Sequence, residues 1–347
     1  MFPLSASIFV KLLVQISQRI SAAIGARFGG KIKLLTPNHK PGRSVTRALF
    51  SKLTFLTPIN NYLCLSKKHN NLRYFIRFSY NGSKYHGWQF QPNAVSVQET
   101  MNKAVSTLLH ATIDLVGAGR TDTGVHAKEM FAHFDTDSEI DTTVLIHKLN
   151  SFLPKDIAVF DIIRVANEAH ARFDAKKRTY HYYINKDKDV FSQDLSWHYQ
   201  QNLDIDRMNT AAALLLDHTD VECFSKSNTD VNTYNCNITE AFWKQQNNQL
   251  IFTISADRFL RNMVRAIVGT LINVGLHKTS IAQFSKILES KNRSEAGFSV
   301  PAHGLYLTNI VYDYLAPSPV ETAVGNDGIL SGSAAQQTIA RKAATSS

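Results

Sequence analysis

Three things are scarce in this chain of 347 residues: cysteine, long apolar runs, and acidic residues near the amino terminus. The cysteines, Cys64, Cys223 and Cys236, are odd in number and none forms a Cys-x-x-Cys pair. Neither a disulfide framework nor a zinc site is therefore expected, and a reducing, intracellular setting fits. No stretch of 18 apolar residues occurs, and the run Ser7–Ile16 is interrupted by Lys11, so a membrane-spanning helix is not expected. The same run is short and lacks a charged start, which argues against a secretory signal.

The missing acids change how the net charge of +10 is read. Residues 1–70 hold seven Lys, four Arg and no Asp or Glu, which leaves 27 basic against 28 acidic side chains in the other 277 residues. The basic character belongs to this leader, and the rest of the chain can hold a nucleic acid only through a local patch. Lys, Arg and Ser without acids are the composition of an organelle transit sequence. Translated sequence upstream of the true start, or a basic arm, produces the same composition. The expectation is a leader outside the catalytic body, in a cytoplasmic protein, with organellar import as the alternative.

With 44% hydrophobic and 19% charged residues over its full length, the chain reads as a soluble globular protein. Leu72, Tyr74, Ile76 and Phe78 alternate with Arg73, Phe75, Arg77 and Ser79, the period of a strand, and Asn81-Gly82 supplies a turn. Val97, Met101, Val105 and Leu108 recur at helical spacing. Strands are expected at Ile113–Val116, around Met130–Phe134, and at Ala158–Val165, Thr179–Ile184, Leu250–Ala256 and Leu305–Val311. Helices are expected at Thr143–Phe152, Ile205–Leu216, from Phe259 to Gly275, and at Ile281–Leu288, with a polar loop at Ser225–Asn237. The alternation predicts an α/β or α+β fold of two similar halves with mainly antiparallel sheets flanked by helices. The halves are drawn at 71–175 and 176–315, followed by an Ala/Ser/Thr/Gly-rich flexible tail at 316–347.

The densest chemical signal is Gly117-Ala118-Gly119-Arg120-Thr121-Asp122-Thr123-Gly124-Val125-His126-Ala127. A dinucleotide-binding GxGxxG would need glycine at position 122, and a phosphate loop would need Gly-Lys-Ser/Thr; neither is present. The glycines instead let the backbone turn sharply and present Asp122 at a loop tip, with Arg120 two residues away to hold its carboxylate ionised. Such an aspartate in a cleft serves as a nucleophile or general base, although spacing alone favours an ordinary Asp–Arg turn staple.

Gly119–Ala127 resembles the signature of the tRNA pseudouridine synthase A family, whose aspartate is catalytic. Four further segments match that family in order: Tyr80–Gln91 with Val97-Gln98-Glu99; His170–Ala175 with Arg178-Thr179-Tyr180; Phe259–Arg265 with Val268-Gly269; and His303–Leu307. The resemblance spans roughly Leu72–Tyr314. Ser225–Asn237 departs from it, lacking the family's Ser-Pro-x-Arg pattern.

The resemblance implies a pseudouridine-synthase fold with a central RNA-binding cleft and a homodimer. It also implies an enzyme that isomerises uridines at positions 38–40 of the tRNA anticodon stem-loop. Breaking N1 from the ribose, turning the base and rejoining it through C5 needs no redox partner or group donor, and no cofactor is expected. On this reading Asp122 is the essential carboxylate, attacking ribose or base or removing a ribose proton. Arg120 and Arg265 orient it and neutralise phosphate. Tyr180 stacks on the target base and Leu305 forms an apolar wall beneath the uracil.

Two clusters are expected to grip RNA. One is Lys176-Lys177-Arg178; the other is Arg258, Arg261 and Arg265, whose spacing of three and four would place them on one helix face. Tyr182 and Tyr183 are expected to pack in the core, and His126 to pack its loop. Trp88 is open between core and RNA.

Overall fold

The computed structural model describes residues 71–226 and 232–315. The leader, the tail and the middle of the Ser225–Asn237 loop lie outside the described residues. In the first part of the described chain come β1 (Leu72–Tyr80), α1 (Val97–Leu109), β2 (Val116–Gly117), β3 (His126–Thr136), α2 (Thr142–Phe152) and β4 (Ile157–Arg164). After them come β5 (Lys177–Asn185), β6 (Trp197–His198), α3 (Ile205–Ala213), β7 (Ile238–Gln246), β8 (Gln249–Ala256), α4 (Met263–Gly275), α5 (Ile281–Ser290) and β9 (Leu305–Val311).

The expected sheets of the two halves are fused into one, in the order β4-β1-β3-β9-β5-β8-β7, with β2 pairing β3 and β6 pairing β5. Its pairings are antiparallel except β5–β6 and the join between halves, where β3 and β9 run parallel and pair only at His126↔Tyr306 and Ala127↔Leu307. The fold is α/β, a mixed and mostly antiparallel open sheet flanked by helices.

Alternation along β1 has the expected effect. Tyr74, Ile76, Phe78 and Tyr80 are buried, with Tyr74 stacked on Phe134 at 5.9 Å between ring centroids and Phe78 set 5.6 Å from Trp88. Helix starts follow their caps. Ser96 accepts the N–H of Glu99, Asp141 that of Val144 and Asp204 that of Arg207, at 3.2, 3.0 and 3.0 Å. Ser280 and Gln283 form a reciprocal capping box on α5. None of the described helices is long and apolar enough to cross a membrane.

Two local expectations are corrected, and one strand was not expected. Ile113 and Leu115 are buried as expected, yet strand pairing begins only at Val116. Side chains of α1 take the hydrogen bonds a neighbouring strand would make: Ser106 Oγ accepts the Ile113 N–H, Asn102 Oδ1 accepts the Leu115 N–H, and Gln98 donates to the Leu115 carbonyl. β7 was not anticipated, because a register shift between Ile238 and Glu240 breaks its alternation. Finally, α4 begins at Met263, after Asn262 at φ 65°, so Arg258 and Arg261 precede the helix and share no helical face with Arg265.

Candidate active site

The segment before β3 forms the expected turn. Val125 N–H closes it on the Asp122 carbonyl at 3.1 Å, and Gly124 N–H donates to the Tyr85 carbonyl at 3.2 Å. Gly124 has φ 78°, a conformation other residues adopt only with strain. Beside it, Gly87 at φ 85° lies so close to the turn that a Cβ there would stand 2.2 Å from the Thr121 carbonyl oxygen. The Thr121 hydroxyl accepts the Trp88 N–H at 3.1 Å and shares a 2.8 Å hydrogen bond with the Tyr80 hydroxyl. Trp88 is thus a buried core residue, 3% exposed, that supports the turn.

His126 has a similar task. It is buried, accepts the Gly82 N–H through Nδ1 at 3.0 Å, and its Nε2 lies 3.1 Å from the His303 carbonyl oxygen. Its ring stacks on Tyr306 at 4.5 Å, and burial holds its pKa below the ordinary histidine value. These contacts fit the packing role expected for it.

Asp122 emerges from this support with 27% of its side chain exposed, and Arg265 Nη1 lies 3.3 Å from its Oδ2. That contact crosses between the halves. Arg265 also donates from Nε to the Val300 carbonyl at 2.7 Å, so one guanidinium holds both the carboxylate and the segment leading into β9. Of the two arginines expected to orient Asp122, Arg265 makes the contact. Arg120 is exposed and, among the described residues, forms no ion pair with it.

Tyr180 lies on β5, 9% exposed, its ring edge-on to Phe259 at 5.0 Å. Burial pushes its hydroxyl up to about 12; the charge of Arg178 opposes that rise and the charge of Asp122 adds to it. At neutral pH it is therefore a phenol able to donate, electrostatically coupled to the carboxylate. Leu305, 6% exposed, opens β9 and pairs with Tyr182. Tyr182 is fully buried and donates to the Pro301 carbonyl at 2.9 Å. Tyr183 is half-buried instead and receives a 2.7 Å hydrogen bond from Lys128 Nζ.

The expected RNA clusters divide. Lys176 is exposed and pairs with Asp313 at 3.3 Å, while Lys177 starts β5 half-buried. Arg258 is half-buried in the turn after β8 and Arg261 is exposed. Arg178 differs from all of them, because its guanidinium is committed to backbone carbonyls. Residues missed by sequence reasoning are Thr121, Phe259 and Val300. Phe259 and Thr121 stood inside recognised motifs, but nothing local marked Val300.

A family model described as tRNA pseudouridine synthase matches residues 77–174 and 211–313, and the chain belongs to that family. Among its relatives, the tRNA pseudouridine synthase A of Porphyromonas gingivalis is 53% identical over 244 residues, covering 69% of this chain and 97% of that protein. The protein of the same name from Parabacteroides distasonis is 50% identical over 241 residues, covering 69% and 96%. A more distant one, from Thermoanaerobacter pseudethanolicus, is 39% identical over 239 residues, covering 68% and 98%.

Proposed function

We propose that this protein converts uridine to pseudouridine at positions 38–40 of the tRNA anticodon stem-loop, with Asp122 as the essential carboxylate. Family membership makes it an isomerase acting on tRNA uridines. The finer reading rests on one observation: the Asp122 carboxylate stands at a partly open loop tip, 3.3 Å from an arginine of the other half.

The reaction breaks the N1–C1′ bond and makes a C5–C1′ bond, and the proton lost from C5 balances one gained at N1. Asp122 supplies the carboxylate at the sugar–base junction, and Arg265 orients it and offsets charge. Tyr180 and Leu305 hold the detached uracil, Tyr180 with a stacking face and a neutral hydroxyl. Packing of the base between them keeps water from capturing the ribose, which would turn isomerisation into base loss. Arg120, exposed two residues before Asp122, meets phosphate, as do Lys176, Lys177, Arg258 and Arg261. The protein works in the cytoplasm as a homodimer, which lets a body nearly neutral in net charge embrace a large RNA.

Tritium release from unmodified tRNA carrying 5-tritiated uridine tests the reading. The wild type is expected to release tritium from positions 38–40 and Asp122→Ala to release none, with its unfolding temperature unchanged. Release from both proteins would identify the wrong aspartate. Free uracil as the product would make the enzyme a hydrolase of the N-glycosidic bond.

A further inference from the structure

Arg178 stands two residues before Tyr180 on β5, within the basic run Lys176-Lys177-Arg178. By position it reads as a phosphate contact. Its hydrogen bonds say otherwise. Nη1 donates to the carbonyls of Ala175 at 3.2 Å and Asp257 at 2.6 Å; Nη2 donates to those of Ala118 at 3.0 Å and Arg172 at 2.7 Å. All four N–H groups of the two terminal nitrogens are spent on the backbone, and no fork remains to meet a phosphate.

The four carbonyls come from separate places. Ala118 lies in the turn that carries Asp122. Arg172 and Ala175 lie in the connection between the halves. Asp257 follows β8, on the way to Phe259 and Arg265. One guanidinium thus ties the carboxylate's turn to the strand that carries Tyr180 and to the segment that leads into α4. Burying a cation costs solvation, and burial does depress the Arg178 pKa below the ordinary arginine value. Four carbonyl acceptors offset that cost. Lysine has three tetrahedrally arranged donors and no planar fork, so it cannot reproduce this arrangement.

We propose that Arg178 is a positioning residue of the pseudouridylation reaction, fixing the Asp122 turn against the Tyr180 strand, and that it makes no contact with tRNA phosphate. This rests on the assignment of Asp122 and Tyr180 to the reaction. Because a displacement of about 1 Å in a reacting group costs up to about a hundredfold in rate, a spacer of this kind is felt in the chemical step rather than in binding.

The test compares wild type, Arg178→Lys and Arg178→Met in the full chain, by single-turnover tritium release at saturating enzyme and by tRNA affinity against salt. The expected result for Arg178→Lys is a rate lowered about tenfold or more, with Kd and its salt slope within about twofold of wild type. Amide hydrogen exchange over residues 117–124 is expected to quicken. A weakened Kd, a salt slope smaller by about one and an unchanged rate would make Arg178 a phosphate ligand and overturn the proposal. A lowered unfolding temperature with an unchanged single-turnover rate would overturn it as well, leaving only a structural role. If Arg178→Met does not fold, the lysine variant decides alone. Absence of tritium release from the wild type would sink the functional reading instead, and hydrogen exchange in the turn would then decide the positioning: faster exchange sustains it, unchanged exchange overturns it.

Discussion

The two flanks of the sheet contribute opposite charges to one site. On the β4-β1-β3 side the contribution is a carboxylate on a turn, held through backbone hydrogen bonds, a threonine hydroxyl and the close approach of Gly87. On the β9-β5-β8-β7 side it is cationic and aromatic: Arg265 at the start of α4, with Tyr180 and Arg178 on β5. Among the described residues the strands of the two flanks pair at only two parallel positions, His126↔Tyr306 and Ala127↔Leu307, so side chains carry much of the join. Neither flank holds the site alone. Asp122 meets Arg265 only after the chain has returned across 143 positions to close that seam.

The largest expected effect comes from cutting the side-chain link across the seam that reaches the Asp122 carboxylate directly. Arg265→Met should lower kcat for tritium release by about a hundredfold or more, since it removes an oriented charge from the carboxylate while leaving the turn intact. Affinity for tRNA should change far less. An equal loss of affinity with kcat preserved would make Arg265 a phosphate ligand and dissolve the division between the flanks.

Acid should weaken both flanks. His133 on β3 is held down to about 4, chiefly by burial and then by the Arg73 charge, and His181 on β5 to about 4 by burial and Lys128. His133 is neutral at Nδ1, where it accepts the Ala171 N–H at 3.2 Å. In the unfolded chain each histidine takes a proton as pH falls through about 6.5, whereas the folded chain does so only near 4. Stability is therefore complete above pH 6.5 and is lost as pH falls towards 4, by on the order of 3 kcal/mol for His133. Urea midpoints across that window check this, and His133→Gln should flatten the profile. A wild-type midpoint that does not move between pH 7 and 4.5 would refute it.

The smallest effect is expected at the surface. The Lys176–Asp313 pair is 61% and 70% exposed, so Lys176→Ala should lower the unfolding free energy, read by urea titration, by less than about 1 kcal/mol. Its trace should instead appear in tRNA binding, as a salt slope smaller by about one. A large loss of stability would mean the second flank depends on surface charge as well as on its core.

Much of this was legible in the chain. Strand β9 runs Leu305–Val311, as its apolar pattern indicates, and α5 begins at Ile281, where the helix is expected. The Asp122 turn was legible because its glycines, arginine and acid are contiguous. What misled was local pattern standing in for context. Ile113–Val116 has the apolarity of a strand, but Ile113 and Leu115 satisfy their backbone on α1, and the arginine spacing at 258, 261 and 265 suggests a helix face although α4 starts only at Met263.

By itself the sequence determined most of the elements, the turn and the group at its tip, because periodicity, capping and glycine placement act between residues a few positions apart. Only the tertiary structure decided which arginine meets Asp122, and that Arg178 grips four carbonyls in a run that looks made for phosphate. The physical reason is the same in both cases. A guanidinium bonds whatever acceptors the folded backbone brings within about 3 Å, and those acceptors come from segments the sequence keeps far apart.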